Sequence, residues 1–534
     1  MTARAIFPTS YDKETKIWSG VPRSTLYDYN CSVGQVVYNS LKCWATNVLQ
    51  ITADDDTVLT NGDVLALASR IALYFRAEGL THEDRVGIIG RGSTYVMPVA
   101  TACFFNTTPF HAINSSREPQ VVARLYSVTK PKIMFCDASD YETIKDICKD
   151  WAPKIITLTG RVEGVPSVED LIKPHPAEAS YKPTPLATGG DQTAVVLCSS
   201  GTAGLPKAVM LSHRHLCSTN SFCFSYDVLY TSASIDWMTG FSIMVMSLIY
   251  GLTRIVSEQP FSAGNAAAIV QKYKVTCIAM APWQAYELYT SPLATAETLQ
   301  SLKISFVIGG WISLALLRKC QALLPKCYIM FSYGTTETGI VTVNIDQSLE
   351  NSVGRLGPGM RIKILGENRQ PLGVNEVGEV LIDIGLKWLG YLDNAEDTAA
   401  TLEDGWINLG DLGYFDADNN LYLVDRKKDL LKYKSKHYWP NEIEQIIAEL
   451  PEIEDVCVVG VRDERYGDAA GALVIRKEGL EITAQKIIDY VAQRVVVDYK
   501  QLNAGVVFVD HIPTNVNGKV MRSEARNIFD ERSK

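Results

Sequence analysis

Short apolar runs alternate with longer amphipathic stretches along the first half of the chain, and they predict strands and helices in turn. Runs rich in β-branched residues predict buried strands at 85–89, 132–135, 154–158 and 194–197. Apolar residues at helical spacing after Asn61-Gly62-Asp63 predict a helix up to residue 75, and residues 96–105 predict another. Strands that alternate with helices indicate βαβ units and a mainly parallel sheet.

The alternation continues in the middle of the chain and then changes. Strands are predicted at 275–280, 304–308 and 328–331, while residues 241–252 are too few to span a membrane and predict a core helix. From 354 to 422, short runs with turns at Gly366, Gly373, Gly378, 393–394 and 419–420 predict a small antiparallel or barrel-like subdomain. A helix at 441–450 and strands at 456–461, 472–475 and 505–509 predict a separate α/β domain.

Composition and charge restrict the partners that the protein could bind and the cellular compartment that we expect for it. The chain has 534 residues, and its 51 Lys+Arg against 60 Asp+Glu give a net charge of -9 without a basic block, which disfavours nucleic acid. The 12 cysteines are scattered without a C-x-x-C pair and the N-terminus has no apolar signal segment, so we expect reduced thiols inside the cell. The C-terminal Arg532-Ser533-Lys534 lacks the leucine of a peroxisomal Ser-Lys-Leu, so we expect a cytoplasmic location, or a peroxisomal one if the terminus is truncated.

The densest candidate chemistry lies at 193–211, TAVVLCSSGTAGLPKAVML. An apolar run leads into a loop of hydroxyls, glycines and one lysine, namely Ser199, Ser200, Gly201, Thr202, Gly204 and Lys207. Glycines let the backbone approach an anion, hydroxyls and N–H groups donate hydrogen bonds, and the lysine supplies charge, so the loop predicts phosphate binding. It is not a Walker A loop, because Pro206 precedes the lysine and Ala208 follows it. An ordinary Ser/Gly turn is the alternative.

Three further motifs carry candidate chemistry. Tyr333-Gly334-Thr335-Thr336-Glu337 places hydroxyls and one carboxylate at a strand end, which suits a nucleotide and its Mg²⁺; a turn with a solvated glutamate is the alternative. GWINLGD at 405–411, followed by Asp425-Arg426, offers a carboxylate for ribose hydroxyls. PTNVNGK at 513–519 ends on Lys519, and a lone lysine of this kind is ordinarily a solvated charge.

These four motifs, in this order, resemble those of the adenylate-forming superfamily, which includes insect luciferases, coumarate–CoA ligases, fatty acyl-CoA synthetases and peptide-synthetase adenylation domains. The resemblance runs from about residue 30 to Arg522, and GVVFVD at 505–510 is similar to the insect luciferase branch, which includes luciferase-like acyl-CoA synthetases. It implies that a carboxylic acid attacks the α-phosphate of MgATP to give an acyl-adenylate and pyrophosphate.

The resemblance also implies an architecture. The fold class is α/β, with a large N-terminal domain of parallel-rich α/β subdomains plus a small β-barrel-like subdomain, hinged to a small α/β C-terminal domain. We expect the N-terminal domain, which binds ATP and the acid, to span residues 1–425. The hinge would comprise residues 426–428 and the mobile C-terminal domain residues 429–534.

Roles for individual residues follow from the same resemblance. Lys519 would bridge the substrate carboxylate and the α-phosphate, Thr336 would contact that phosphate, and Glu337 would bind Mg²⁺ together with Thr202. Lys432, in the loop after the hinge, completes the catalytic set. The nucleotide would be held by the phosphate loop and by Gly310, Tyr333, Gly334, Thr335, Asp411 and Arg426, with Tyr391 lining the ribose pocket. The substrate pocket would be lined by Thr239, Phe241, Trp311 and Ile340.

Several positions depart from the family pattern. Ala203 and Ala208 replace a hydroxyl and a glycine of the phosphate loop, and Met238 and Thr239 replace two histidines of the luciferases. Trp311 stands where the family has a small residue beside adenine. The loop 432–440 reads KYKSKHYWP where the family reads K-x-K-G-[YFH]-Q-[VI]-x-P. Its Ser435, His437 and Trp439 weaken the case for CoA, because glycine there gives room for the pantetheine arm.

We therefore expect adenylation of a small carboxylic acid followed by luciferase-type oxidation of the adenylate by O₂ with light emission. The alternative is an AMP-forming fatty acyl- or aryl-CoA ligase, in which CoA replaces O₂ as the second substrate. A nucleotide-binding protein without turnover is disfavoured, because the chain retains Lys519, Glu337, Asp411 and Arg426. ATP and Mg²⁺ are the expected cofactors, and we expect a monomer with no nucleic-acid partner and no membrane span.

Overall fold

Strands and helices form at the apolar runs that the sequence predicts, and further elements lie between these runs. The computed structural model describes residues 8–23, 27–115, 117, 119–199, 207–218, 223, 225–309, 312, 314–346, 349, 352–426, 431–433, 436–463, 467–495, 497–514 and 520–533.

The strands, in chain order, are β1 (Ser10–Asp12), β2 (Ile17–Ser19), β3 (Val48–Thr52), β4 (Thr57–Thr60), β5 (Val86–Ile89), β6 (Phe110–Ile113), β7 (Ile133–Cys136), β8 (Lys154–Thr157), β9 (Thr193–Cys198), β10 (Ala208–Ser212), β11 (Val228–Tyr230), β12 (Thr253–Val256), β13 (Cys277–Met280), β14 (Ile304–Ile308), β15 (Tyr328–Thr335), β16 (Gly339–Asn344), β17 (Ser352–Leu356), β18 (Arg361–Leu365), β19 (Gly378–Asp383), β20 (Leu402–Glu403), β21 (Trp406–Phe415), β22 (Leu421–Arg426), β23 (Leu431–Tyr433), β24 (Lys436–Tyr438), β25 (Ile453–Asp463), β26 (Gly467–Arg476) and β27 (Gly505–Phe508).

The α-helices are α1 (Val33–Cys43), α2 (Asn61–Ala77), α3 (Val96–Asn106), α4 (Pro119–Thr129), α5 (Tyr141–Ile147), α6 (Val168–Leu171), α7 (His213–Cys217), α8 (Met238–Tyr250), α9 (Ala263–Tyr273), α10 (Pro282–Thr290), α11 (Leu314–Leu323), α12 (Ala395–Thr401), α13 (Pro440–Ile447), α14 (Ala484–Arg494) and α15 (Arg522–Arg532). Short 3₁₀ helices lie at Ala138–Asp140, Glu178–Ser180 and Asp498–Lys500.

The chain divides into two compact units. The first unit comprises Met1–Thr9, Ser19–Arg361 and Asp383–Gly405, and the second comprises Ser10–Trp18, Ile362–Ile382 and Trp406–Lys534. This division groups the strands of the small antiparallel region with the C-terminal part of the chain. The domain boundary at residue 425 and the hinge at 426–428 stay predictions.

Two sheets form the first unit. One has the order β10-β9-β6-β5-β7-β8, and all its neighbours are parallel except β9 and β10, which form an antiparallel hairpin. The other runs β4-β3-β12-β11-β13-β14-β15-β16-β17 and is parallel from β3 to β15. The strands β5, β6, β7 and β13 are buried at every position, as parallel strands covered on both faces are. The predicted parallel-rich α/β architecture is thereby confirmed.

Antiparallel pairing dominates the second unit. Strands β18, β19, β21 and β22 are successive neighbours, and the described strands form an open sheet, not a closed barrel. Gly378, predicted in a turn, instead begins β19, because its backbone pairs with Gly413 of β21. A separate sheet, β24-β23-β26-β25 with β27 beside β26, is packed against α13 and α14.

Further predictions concern a core helix, the cysteines and one turn. The predicted core helix is α8, whose residues Phe241 to Ile249 are mostly buried, and none of the helices in the described ranges is long and apolar enough to cross a membrane. All 12 cysteines are free thiols. The turn predicted at 393–394 is present, since the Asn394 amide donates to the carbonyl of Tyr391, and it leads into α12, which the Asn394 side chain caps by accepting a hydrogen bond from the Asp397 amide.

Close contact between α1 and α3 depends on a missing side chain. Gly34 of α1 is buried, and a Cβ built there would clash with the carbonyl oxygen and carbon of Phe104 in α3. Because both obstructing atoms belong to backbone, the two helices would have to move apart to admit a methyl group.

We expect Gly34→Ala to lower the thermal unfolding midpoint, with a cost of about 1–3 kcal/mol for overpacking. Gly264→Ala in α9 is the matched control, because its Cβ would meet only the flexible Leu293 side chain at 3.3 Å and alanine favours a helix. Differential scanning calorimetry of both variants checks this. A Gly34→Ala midpoint at or above that of Gly264→Ala would contradict the close helix contact.

Candidate active site

The two ends of the predicted phosphate loop are held together by β9 and β10. Ala208 pairs with Cys198 in the hairpin, and the backbone N–H of Ser199 donates to the carbonyl of Lys207 at 2.8 Å. In return the Lys207 amide donates to Oγ of Ser199 at 3.0 Å. The buried Ser199 hydroxyl therefore helps to close the loop, and its contact with the nucleotide stays a prediction.

The second motif lies in the hairpin between β15 and β16. Tyr333, Gly334 and Thr335 are still in β15, so the strand runs further than its apolar residues predicted, and Thr336 and Glu337 form the turn. A Cβ on Gly334 would clash with the carbonyl of Gly339, so glycine is needed for this tight pairing. The Thr336 hydroxyl donates to the carbonyl of Cys198 at 3.4 Å, which ties the turn to the strand that leads into the phosphate loop.

A third segment brings Tyr391 to the same place. The Tyr391 hydroxyl donates to Oε1 of Glu337 at 2.9 Å, and both residues are buried, 5% and 7% exposed. Burial, followed by the negative charge of Glu337, raises the pKa of Tyr391, so the phenol stays protonated and remains a donor. Tyr391 was expected beside the ribose; among the described residues it contacts the carboxylate expected to bind the metal.

The lysine of the phosphate loop contacts the same tyrosine. Nζ of Lys207 lies 4.7 Å from the centroid of the Tyr391 ring and 3.0 Å from Oδ2 of Asp397. The hydrogen bond from Lys207, then that from Asn394, lowers the pKa of Asp397, so this carboxyl is ionised at neutral pH. Lys207, Glu337 and Tyr391 therefore form one cluster in the first unit, while the phosphate-binding role of Lys207 and the metal-binding role of Glu337 stay predictions.

The donor set fits a magnesium ion that arrives with a nucleotide. Tyr391 occupies Oε1 of Glu337, and Mg²⁺ commonly takes only one or two carboxylates and completes its shell with water and phosphate oxygens. Within the described ranges, no group of three or more His, Cys, Asp or Glu side chains is arranged as a preformed metal site. Glu337 offers one buried carboxylate near Lys207, which suits a metal ion whose other ligands are phosphate oxygens and water.

The two residues expected to hold the ribose lie in the second unit. Asp411 of β21 is buried and pairs directly with Arg426 of β22 in antiparallel register. Fifteen positions apart in the sequence, they are thus direct cross-strand neighbours, and their contact with the ribose stays a prediction. Lys432 of β23 pairs with His437 of β24, and for Arg426, Lys432 and His437 only the backbone is described.

Predicted pocket residues have different surroundings. Thr239 lies in the first turn of α8 and is half-buried, and Ile340 follows the hairpin turn in β16 beside an apolar cluster. Phe241 is 1% exposed, with its ring 6.2 Å from that of Phe110, so it contributes to the core of the first unit. The substrate-facing role of these residues stays a prediction.

The remaining predicted site residues lie outside the described part of the chain. They are Ser200, Gly201, Thr202, Gly204, Gly310, Trp311 and Lys519. Their assignments rest on the sequence motifs alone.

A buried ion pair at the start of α8 was not predicted. Arg117 donates from Nε and Nη2 to Oδ2 of Asp236 at 3.2 and 3.0 Å, and its guanidinium lies 4.6 Å from the ring of Trp237. Ser234 also donates to Asp236. This network fixes the segment that leads into Thr239; the sequence gives no signal for it, because the two charges are 119 positions apart.

His215 is a second unpredicted neighbour of the motif. Gly339 has φ +68°, and a Cβ built there would lie 3.3 Å from Nε2 of His215. Burial, followed by the charge of Arg23, lowers the pKa of His215 to about 4, so the ring is neutral at physiological pH. The neutral imidazole thus lies against the backbone between Glu337 and Ile340.

Comparison with protein families finds two matched regions. The AMP-binding enzyme family matches residues 42–392, and the AMP-binding enzyme C-terminal domain matches residues 442–519. The first match alone covers more than half of the chain.

Individual relatives agree with these matches. The chain is 28% identical over 427 residues to 4-coumarate–CoA ligase 3 of Oryza sativa subsp. japonica, covering 76% of each protein. It is 27% identical over 524 residues to luciferin 4-monooxygenase of Photinus pyralis, covering 93% of this chain and 94% of that protein. Its fold is similar to that of ATP-bound MatB from Rhodopseudomonas palustris, with a TM-score of 0.84 at 23% identity, covering 94% of this chain and 100% of that one. The chain therefore belongs to the AMP-binding enzyme family, and it is an adenylate-forming enzyme of mixed α/β fold.

Proposed function

We propose that this enzyme uses ATP and Mg²⁺ to convert a small carboxylic acid to its acyl-adenylate with release of pyrophosphate. The observation that carries the proposal is that Lys207 and Glu337 both contact Tyr391, one at the ring face and the other at the hydroxyl. A cation for phosphate and a carboxylate for a hard metal are the two charges that a MgATP site needs. For the ribose we propose Asp411 and Arg426, which are direct cross-strand neighbours in β21 and β22.

The reaction follows from these groups. A carboxylate oxygen of the acid attacks the α-phosphorus, the bond to the bridging oxygen breaks, and pyrophosphate leaves with that oxygen. Lys207 would hold phosphate oxygens, Glu337 would hold the metal, and Lys519 would place positive charge between the acid and the α-phosphate. When bound, Mg²⁺ neutralises phosphate charge and orients the triphosphate.

For the second step we favour oxidation of the adenylate by O₂ with light emission. The support is the altered loop 432–440 and the likeness to a luciferin 4-monooxygenase over most of both chains. A base would take the α-proton, O₂ would oxidise the resulting carbanion to a peroxide, and the peroxide oxygen would attack the carbonyl carbon and release AMP. Free cysteines support an intracellular enzyme, while the cytoplasmic location and the monomeric state stay predictions.

A CoA ligase for a fatty or aryl acid is the second candidate. The observation that favours it is the comparable identity to a 4-coumarate–CoA ligase. Adenylation is common to both candidates, so a single assay can separate them at the second step.

The assay supplies ATP, Mg²⁺, O₂ and a panel of carboxylic acids, with and without CoA, and follows AMP, thioester, O₂ uptake and light. We expect acid-dependent pyrophosphate release, and O₂ uptake with light that does not need CoA. Rapid thioester formation without O₂ uptake would establish the ligase instead. If no acid in a broad panel supports pyrophosphate release, the adenylation proposal itself fails.

Lys519→Ala should slow adenylation at least about a hundredfold while ATP still binds. Loss of about 3 kcal/mol of transition-state stabilisation gives this size, since each ~1.36 kcal/mol is tenfold. Lys477→Ala is the matched control, because Lys477 is an exposed lysine in the same part of the chain. Pyrophosphate exchange at a near-native rate in Lys519→Ala would sink the assignment.

The loop 432–440 offers a test of the second step. Ser435→Gly with His437→Gln restores the family residues, and we expect this double variant to raise thioester formation more than adenylation. Tyr438 is left in place, because it is 1% exposed and its hydroxyl donates to the carbonyl of Asp468 at 2.7 Å. Thioester and pyrophosphate-exchange rates are compared in the same preparation. Equal changes in both rates, or none, would show that the loop does not set the choice of second substrate.

A further inference from the structure

The segment 390–398 is built against the phosphate-loop hairpin by its backbone. The Met210 amide donates to the carbonyl of Gly390 at 3.1 Å, and the Leu392 amide donates to the carbonyl of Ala208 at 2.8 Å. Tyr391 thus bridges to Val209, two positions after Lys207. The backbone therefore fixes this segment beside the lysine whatever the side chains do.

Local contacts fix the tyrosine within the segment. The Tyr391 amide donates to Oγ1 of Thr398 at 2.9 Å, and Gly390 has φ +81° at a point where a Cβ would clash with the Thr398 side chain. The ring also meets Trp388 edge to face, with centroids 5.3 Å apart. The surface over which the Lys207 ammonium lies is therefore rigid.

Asp397 holds the other side of that ammonium. Its Oδ2 accepts from Nζ of Lys207 and also from Nδ2 of Asn394 at 2.7 Å, and Asn394 in turn caps α12. The carboxylate is thus oriented by the start of the helix toward the lysine. Yet the pair is only partly covered, since the side chains of Lys207 and Asp397 are 34% and 41% exposed.

The partial exposure of Lys207 and Asp397 limits the stability of their ion pair. An ion pair at this exposure changes an equilibrium constant by no more than about 2- to 5-fold. A triphosphate offers the same lysine several anionic oxygens, so it can displace a single carboxylate. The attraction to the Tyr391 ring is not lost in the exchange, because it depends on the ring face and not on the carboxylate.

We propose that Asp397 is a positioning residue that acts as the resident counter-anion of Lys207: the triphosphate displaces it on binding, and it takes the lysine back as pyrophosphate leaves. This inference rests on the proposed function, because it assumes that Lys207 binds phosphate. Asp397 contacts no reacting atom. Its effect is to keep the lysine directed over Tyr391 before ATP arrives and to weaken the hold on the pyrophosphate product.

The test measures equilibrium binding of a non-hydrolysable ATP analogue and of pyrophosphate, without acid, to the full-length protein by calorimetry. Asp397→Asn removes the charge and retains the shape, so we expect both ligands to bind about 3-fold more tightly, and pyrophosphate to become a more potent product inhibitor by a similar factor. Asp397→Ala should shift binding in the same direction, which covers the case that asparagine disturbs the cap.

Glu396→Gln is the matched control, since Glu396 is exposed and lies in the first turn of the same helix. It changes the net charge equally and should leave both affinities unchanged. In a Lys207→Ala background, Asp397→Asn should lose its effect, because there is no lysine to compete for. A merely structural role for Asp397 would change the unfolding midpoint in both backgrounds without this dependence on Lys207.

Equal shifts from Asp397→Asn and Glu396→Gln, weaker binding in Asp397→Asn, or an unchanged effect in the Lys207→Ala background would each overturn the proposal. In those cases the unmodified protein still binds ATP, and adenylation stands. If the unmodified protein binds neither the analogue nor pyrophosphate, the proposed function fails, and this proposal fails with it.

Discussion

The hydrogen bond from the buried Tyr391 hydroxyl to Glu337 is the interaction on which the rest of the candidate site depends. A carboxylate that is 7% exposed is costly to bury without a partner, and the phenol supplies one. Because Tyr391 is also bridged to the strand that follows Lys207, one residue places a cation and an anion at fixed points near each other. Backbone pairing thus brings segments that are remote in the sequence to one site. There the neutral Tyr391 side chain contacts Lys207 with its ring face and Glu337 with its hydroxyl.

Much of the fold could be predicted because the parallel strands are buried on both faces. Runs such as 86–89 and 133–136 must be apolar throughout, so the sequence marks them clearly. Element ends were harder to predict where polar residues continue a strand. Tyr328–Thr335 extends through Gly334 and Thr335 because β16 supplies backbone partners, and a partner strand leaves no mark in the local pattern.

The candidate site could be predicted only where the chemistry is local. The hydroxyls and lysine of the phosphate loop, and the carboxylate of the hairpin turn, lie within short motifs, so their residue types suffice. Contacts such as Tyr391 with Glu337, or Lys207 with Asp397, join positions far apart in the chain and depend on tertiary packing. The Ser199 hydroxyl also makes a contact that the local pattern does not show, since it accepts from the Lys207 amide and so joins the loop ends.

Within the loop 432–440, the structure describes contacts of two bulky residues, Tyr438 and Trp439. Tyr438 is buried in the core of the C-terminal sheet and donates to Asp468, so aromatic bulk at this position is explained by packing. Trp439 precedes α13, where its amide donates to Glu442, so the backbone at this position is fixed by helix capping. Packing thus accounts for the side chain of Tyr438, whereas capping accounts only for the backbone at Trp439. Ser435 lies outside the described residues and His437 is described by its backbone alone, so the significance of these two departures rests on the sequence.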